Sequence, residues 1–238
     1  MTGSAPTREL ELVAALDAVR ARIAAACTAA GRAAGSVALV AVSKTWPATD
    51  AAILVRLGQR DLGESRDQEA GPKAAALAGQ RPAPRWHFLG QLQRNKARSV
   101  ASYCAVVHSY DRAALAPLLA RGAEEAHRAP PGVLVQVSLD GVAGRGGVPP
   151  AQVLSLAGSA AAQGLDVLGV MAVAPAGPPS REPFDRLAAV SAALRAEHPG
   201  ASWISAGMSG DLEAAVAAGS THVRVGTALF GHRPPVSG

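Results

Sequence analysis

The sequence predicts an α/β protein: one (β/α)8 TIM barrel spanning residues 1–238, with an extra helix ahead of the first strand. Two observations carry that expectation. Short, β-branched apolar runs alternate along the whole chain with longer segments whose apolar residues fall at helical spacing. Such alternation implies parallel strands joined by helical crossovers, and eight units of that kind close into a barrel. The length of 238 residues and the hydrophobic fraction of 49% suit one such domain. A doubly wound open sheet ranks second, because no Gly-x-Gly-x-x-Gly fingerprint follows the first strand.

Residues 1–7 read as a disordered lead. Leu12, Leu16, Val19 and Ile23 then recur at helical spacing within 8–31, and Gly31 is a stop signal. The run 37–42 is apolar, β-branched and too short for a helix, so it reads as the first buried strand. Helix 50–57 leads to strand 61–63, and helix 67–78 to strand 86–89. A short helix at 94–100 precedes strand 105–108. Helix 112–127 precedes strand 133–137, and helix 150–163 precedes strand 167–171. Helix 181–197 leads to a weak strand at 203–205, and helix 211–218 to the last strand, 222–225, and a short helical tail. Residues 174–183 are rich in proline but form a loop within the domain, since the alternation resumes after them. Aromatic residues make up only 3%, so the core must be built from Ala, Val and Leu.

Composition narrows the function classes. The formal net charge is +5, yet the basic residues are scattered and form no block, so neither nucleic acid nor membrane is an expected partner. Cys27 and Cys104 are far apart and in no metal-like spacing, which argues against a disulfide framework or a zinc site and for a reducing compartment. The first ten residues lack a basic segment followed by an apolar run, and no apolar run is long enough to span a bilayer. A soluble, cytoplasmic protein without a metal is expected.

Barrel chemistry sits at the C-terminal ends of the strands. Lys44 ends the first strand, in VALVAVSKTWP. It is either a surface lysine or a nucleophilic amine that forms a Schiff base. Two small-residue loops occupy the positions after strands seven and eight, where barrels commonly bind phosphate. One contains Ser209 and Gly210; the other contains Arg224, Gly226 and Thr227. Ser209 alone would read as a plain helix cap. Both loops with Lys44 across the mouth favour a phosphate-bearing aldehyde. Arg224 alternates with Val223 and Val225, so it faces away from them. It is either a frayed-end surface residue or a cation set against the ring nitrogen of a pyridine cofactor. His87 reads as a packed, hydrogen-bonded histidine. His108 is left open between the core and the mouth, and Glu64 between Lys44 and a loop. Arg94 to Lys96 read as a solvated turn.

At these residues the chain resembles the pyridoxal phosphate homeostasis proteins, which share the barrel of alanine racemase. The blocks VAVSKTWP, LGESRDQEA, WHFLGQLQRNKA, VHSYDR, VLVQVSLDG, GRGGV, GVMAVAP and GMSGDLEAAVAAGSTHVRVGTALFG carry the likeness in order from about Leu10 to Arg233. Ser65, Gln91 and Ser138 depart from the usual pattern in loops near the expected cofactor. The resemblance implies pyridoxal 5'-phosphate as cofactor, with Lys44 forming the internal aldimine. It implies that Ser209, Gly226 and Thr227 hold the phosphate and that Arg224 faces the pyridine nitrogen. It implies a mostly monomeric protein active in vitamin B6 balance, with no catalytic residues and no clear turnover, and with apo forms of pyridoxal phosphate enzymes as partners. The alternative is an amino acid racemase of the alanine racemase type. That chemistry needs a second acid or base on the far face of the cofactor, and Tyr110 is the only candidate. A third reading, a class I aldolase-like barrel, would use Lys44 with Glu64 as its acid/base.

Overall fold

In a computed structural model that describes residues 5–142, 144–178 and 180–231, the strands form a closed parallel barrel in sequence order. Its elements run α1 (Ala5–Ala29), β1 (Ala38–Val42), α2 (Ala48–Arg56), β2 (Asp61–Glu64), α3 (Asp67–Ala76), β3 (Arg85–Phe88), α4 (Ala97–Ala101) and β4 (Val106–Tyr110). They continue with α5 (Ala116–Glu125), β5 (Gly132–Gln136), α6 (Val153–Ala161), β6 (Val167–Met171), α7 (Glu182–Glu197), β7 (Trp203–Ser205), α8 (Leu212–Ala217), β8 (His222–Val225) and α9 (Thr227–Phe230). The first and last strands close the ring, with Val40 opposite Arg224 and Ala41 opposite Val225. Lys44 and the loop after β8 are therefore neighbours across this seam, although they lie at opposite ends of the chain.

The expected elements are present with shifted ends. The first helix begins at Ala5, so residues 5–7 are helical and not a disordered lead; residues 1–4 lie outside the described residues. Pro6 suits a first helical turn, where its missing N–H costs nothing. Three expected helices open as 3₁₀ turns: Arg94–Lys96 before α4, Ala113–Leu115 before α5 and Pro150–Gln152 before α6. None of those entries has a side-chain cap, and a tightened first turn is the usual substitute.

The helical stripe of α1, Leu12, Leu16, Val19 and Ile23, is buried against α2, α8 and α9. Packing of that stripe supplies most of the helix's stability, as for most helices in proteins. Outward-facing strand residues such as Ala41, Leu62 and Val223 meet the helices in the same apolar layer. The barrel interior divides in two. Val106, Leu134 and Met171 form a small apolar cluster. A polar group, His87, His108, Ser205 and Arg224, is also buried in the interior.

Candidate functional site

A cleft of about 330 Å3 opens at the C-terminal end of the barrel. Its lining includes Lys44, Ser209, Gly210, Arg224, Gly226 and Thr227, with Val42 and Leu89 beneath. All six of these residues were singled out from the sequence, and they line one cavity, drawn from β8 and from the loops after β1, β7 and β8. Ser65, one of the departures from the family pattern, lines it too. A wider cavity of about 640 Å3 adjoins it through Val173 and Met208.

Lys44 shares the parity of Val40 and Val42, so it continues their face out of the strand. Its side chain is exposed, and among the described residues it makes no hydrogen bond or ion pair. Glu64 does not contact it. The Glu64 carboxylate faces α3, where Oε1 accepts from Lys73 Nζ at 2.6 Å and from Ser43 Oγ at 2.7 Å. The reason is parity: Leu62 packs into the layer between sheet and helices, and Glu64, two residues on, points the same way. Burial raises the Glu64 pKa, opposed by the hydrogen bonds from Lys73 and Ser43. Lys73 Nζ also donates to the Ser43 carbonyl at 2.7 Å. No local pattern marked Lys73, because its partner lies on a different element.

The two loops that line the cleft with Lys44 are closely packed. Gly207 has φ +95, and a Cβ there would come within 2.7 Å of the Ala215 Cβ. Only glycine fits that position without strain. Asp211 Oδ1 accepts from the Met208 amide at 2.6 Å, which tightens the turn holding Ser209. Arg22 of α1 donates to the Ser209 carbonyl at 2.7 Å and pairs with Glu213 at 2.5 Å. A Cβ on Gly226 would meet the Val42 carbonyl at 3.2 Å, so this loop lies close against the end of β1.

Arg224 is 5% exposed and has no carboxylate within ion-pair distance among the described residues. Nη1 donates to the Ser205 carbonyl and to Ser205 Oγ, each at 2.7 Å, and Nη2 donates to the Ala172 carbonyl at 2.8 Å. A guanidinium has five N–H groups, so two remain for a ligand. Burial lowers its pKa to about 10, which leaves it charged near neutrality.

Behind Arg224 a polar chain crosses the barrel. Ser205 Oγ lies 2.9 Å from His108 Nδ1, His108 Nε2 lies 2.8 Å from His87 Nδ1, and His87 Nε2 lies 2.9 Å from Asp61 Oδ1. One assignment satisfies every atom. Asp61 accepts from His87, His87 accepts from His108, His108 accepts from Ser205, and Ser205 accepts from Arg224. His87 is packed and hydrogen-bonded, as expected. His108 lies in the core and not at the mouth. Burial holds its pKa well below the ordinary value, and the charge of Arg224 acts in the same direction. β4 and β7 are not neighbours in the sheet; the closed barrel brings His108 to Ser205 across its interior.

Neither tyrosine reaches the cleft. Tyr110, the last residue of β4, is fully buried in the apolar core. A register shift before it turns its ring outward from the barrel. Tyr103 donates to Asp67 Oδ1 at 3.1 Å, outside the sheet. Among the described residues there is no cluster of three metal-ligating side chains, and no helix long and apolar enough to cross a membrane.

Comparison with known proteins bears on this arrangement. A family model described as the alanine racemase N-terminal domain matches residues 15–234. The pyridoxal phosphate homeostasis protein of Mycobacterium tuberculosis is 46% identical over 245 residues, covering 96% of this chain and 95% of the relative. The chain belongs to the pyridoxal phosphate homeostasis protein family. Its Escherichia coli relative of the same name is 38% identical over 227 residues, covering 92% of this chain and 95% of that one. Within the family, PipY of Synechococcus elongatus has been solved with pyridoxal phosphate bound. It matches this fold with a TM-score of 0.73 at 36% identity, covering 88% of this chain and all of that one. Family membership and the barrel both agree with the reading of the sequence blocks.

Proposed function

We propose that this protein binds pyridoxal 5'-phosphate at the cleft, with Lys44 as its covalent anchor, and holds the cofactor in a homeostatic role. The observation that carries the reading is a single cleft whose lining combines an unpaired lysine amine, two small-residue loops and a buried arginine. The donor set suits the ligand. Ser209 and Thr227 supply hydroxyls, and Gly226 sets the loop after β8 against the end of β1, where a Cβ would meet the Val42 carbonyl at 3.2 Å. When bound, pyridoxal phosphate supplies an aldehyde for amine condensation and an electron-withdrawing ring.

Lys44 Nζ, exposed in the cleft, would be the amine that condenses with the aldehyde, with loss of water. Lys73 is the competing amine nearby, but its Nζ is committed to Glu64 and the Ser43 carbonyl. Arg224, with two N–H groups left over from Ser205 and Ala172, would donate to the pyridine nitrogen of the bound ring. A guanidinium leaves that nitrogen unprotonated, which weakens the ring as an electron sink and favours storage over carbanion chemistry. The burial of Tyr110 and the commitment of Tyr103 to Asp67 weigh against a two-base racemase. The protein acts as a cytoplasmic monomer and passes the cofactor to apo enzymes.

Incubation with pyridoxal phosphate should give a visible absorbance band. Borohydride reduction and peptide mapping should then find the added mass on Lys44, and Lys44→Ala should abolish the band. Mass on Lys73, or a colourless wild-type protein, would overturn the assignment. Incubation with L-alanine should yield no D-alanine.

A further inference from the structure

Lys44 sits between two residues that are both gripped by the same helix. On one side, Lys73 Nζ donates to the Ser43 carbonyl at 2.7 Å. On the other, Glu69 Oε2 accepts from the Thr45 amide at 2.7 Å. Glu69 and Lys73 are four residues apart on α3, so they project from one helical face. Lys73 is itself fixed from behind by Glu64, which also holds the Ser43 hydroxyl.

The backbone that this grip holds is strained. Thr45 has φ +70, one of two non-glycine residues with positive φ among those described. A β-branched residue in that region is a genuine outlier. Such a conformation costs about 1–3 kcal/mol and persists only where the surroundings over-determine it. The surroundings here are a turn closed by the Trp46 amide, which donates to the Ser43 carbonyl at 3.1 Å, with the Glu69 carboxylate on the Thr45 amide and the Lys73 ammonium on that same carbonyl. The bend they enforce comes immediately after Lys44, at the point where the chain leaves β1 and turns toward α2.

We propose that Glu69 and Lys73 are positioning residues for Lys44: α3 clamps the peptide groups on both sides of it, so that its amine is presented to the cleft in one orientation. This rests on Lys44 being the covalent anchor. The clamp touches neither the phosphate loops nor Arg224, so it governs covalent attachment and leaves recognition of ring and phosphate alone.

That separation supplies the test. Pyridoxine 5'-phosphate has the same ring and phosphate but no aldehyde, so it reports recognition without attachment. Wild type, Glu69→Ala, Glu69→Gln and the pair Glu69→Ala/Thr45→Gly are compared for the rate and equilibrium of band formation with pyridoxal phosphate and for affinity toward pyridoxine 5'-phosphate. Glu69→Ala should weaken attachment roughly tenfold, the equivalent of about 1.4 kcal/mol. Its affinity for pyridoxine 5'-phosphate should stay at the wild-type value. Glu69→Gln keeps an oxygen that can accept from the Thr45 amide and should recover most of the loss. Glycine at position 45 removes the backbone strain and should also restore attachment in the Glu69→Ala background. The proposal is overturned if Glu69→Ala attaches the cofactor as wild type does, or if both ligands weaken together. A wild-type protein that forms no band defeats the anchor assignment itself, and the clamp with it.

Discussion

Replacing Glu64 by alanine would strand the Lys73 ammonium in a site that is 7% exposed. Removing one member of a buried pair costs about 3–5 kcal/mol, because the survivor keeps its charge without its partner. Glu64→Ala should therefore lower the denaturation midpoint sharply, and the pair Glu64→Gln/Lys73→Met should recover most of it. Equal losses in both, by urea titration, would show that packing and not charge sets the cost. Acid sensitivity follows from other single groups. His222 has its pKa lowered to about 4, chiefly by burial and then by the charge of His87, against an ordinary 6.5. The unfolded chain takes up that proton first, so stability is full above pH 6.5 and falls as the pH drops toward 4. Asp61 acts lower down. Burial opposes its ionisation, but the hydrogen bonds from His87 and Arg85 win and hold its pKa at about 2 against 3.8. Its contribution is present above pH 3.8 and is lost as the pH falls toward 2. His108, also held well below its ordinary value by burial, loads the same limb, so His222→Gln should reduce but not abolish the slope of the melting-temperature curve between pH 6.5 and 4, and Asp61→Asn should flatten the limb below pH 3.8; an unchanged upper slope in His222→Gln would remove this account of it.

At the scale of the element, the loops matter more than the helices they join. Gly207→Ala would force a Cβ against Ala215 at a residue with φ +95. Strain of about 1–3 kcal/mol is expected. The turn would be displaced along with Ser209, so the variant should lose both thermal stability and affinity for phosphorylated ligands; loss of neither in a melting and binding series would mean that the loop gives way freely. The sequence made the alternation of strands and helices legible because periods of two and of about 3.6 are local properties. It also pointed to Lys44, Ser209, Arg224, Gly226 and Thr227, which line one cavity, since each sits at a strand end or in a small-residue loop. It did not reveal Lys73, whose ion-pair partner lies on β2, or the Arg224–Ser205–His108–His87–Asp61 chain, whose members come from five strands. Nor did it reveal Arg22, which reaches Ser209 across 187 positions. Those contacts exist only once the ring has closed. The 3₁₀ entries escaped for a smaller reason: a first turn of tighter pitch leaves the apolar spacing nearly unchanged.

For the whole molecule, the decisive feature is that the cleft straddles the seam between β1 and β8. Lys44 extends from the first strand, while Arg224, Gly226 and Thr227 belong to the last strand and its exit. A ligand attached covalently on one side and gripped by its phosphate on the other would tie together the two ends of the fold. Anything that binds the folded state alone stabilises it by mass action, by about 2.7 kcal/mol at a hundredfold excess over Kd. In a chain of this length each kcal/mol moves the melting temperature by about 2–4 °C. Saturating pyridoxal phosphate should thus raise it by roughly 5–11 °C. Lys44→Ala should retain only the part contributed by phosphate and ring. Hydrogen exchange should slow in β1 and β8 together and change little in β4 and β5, on the far side of the barrel. Protection spread evenly around the ring would mean that the ligand stiffens the barrel as a whole and does not act as a staple across its seam.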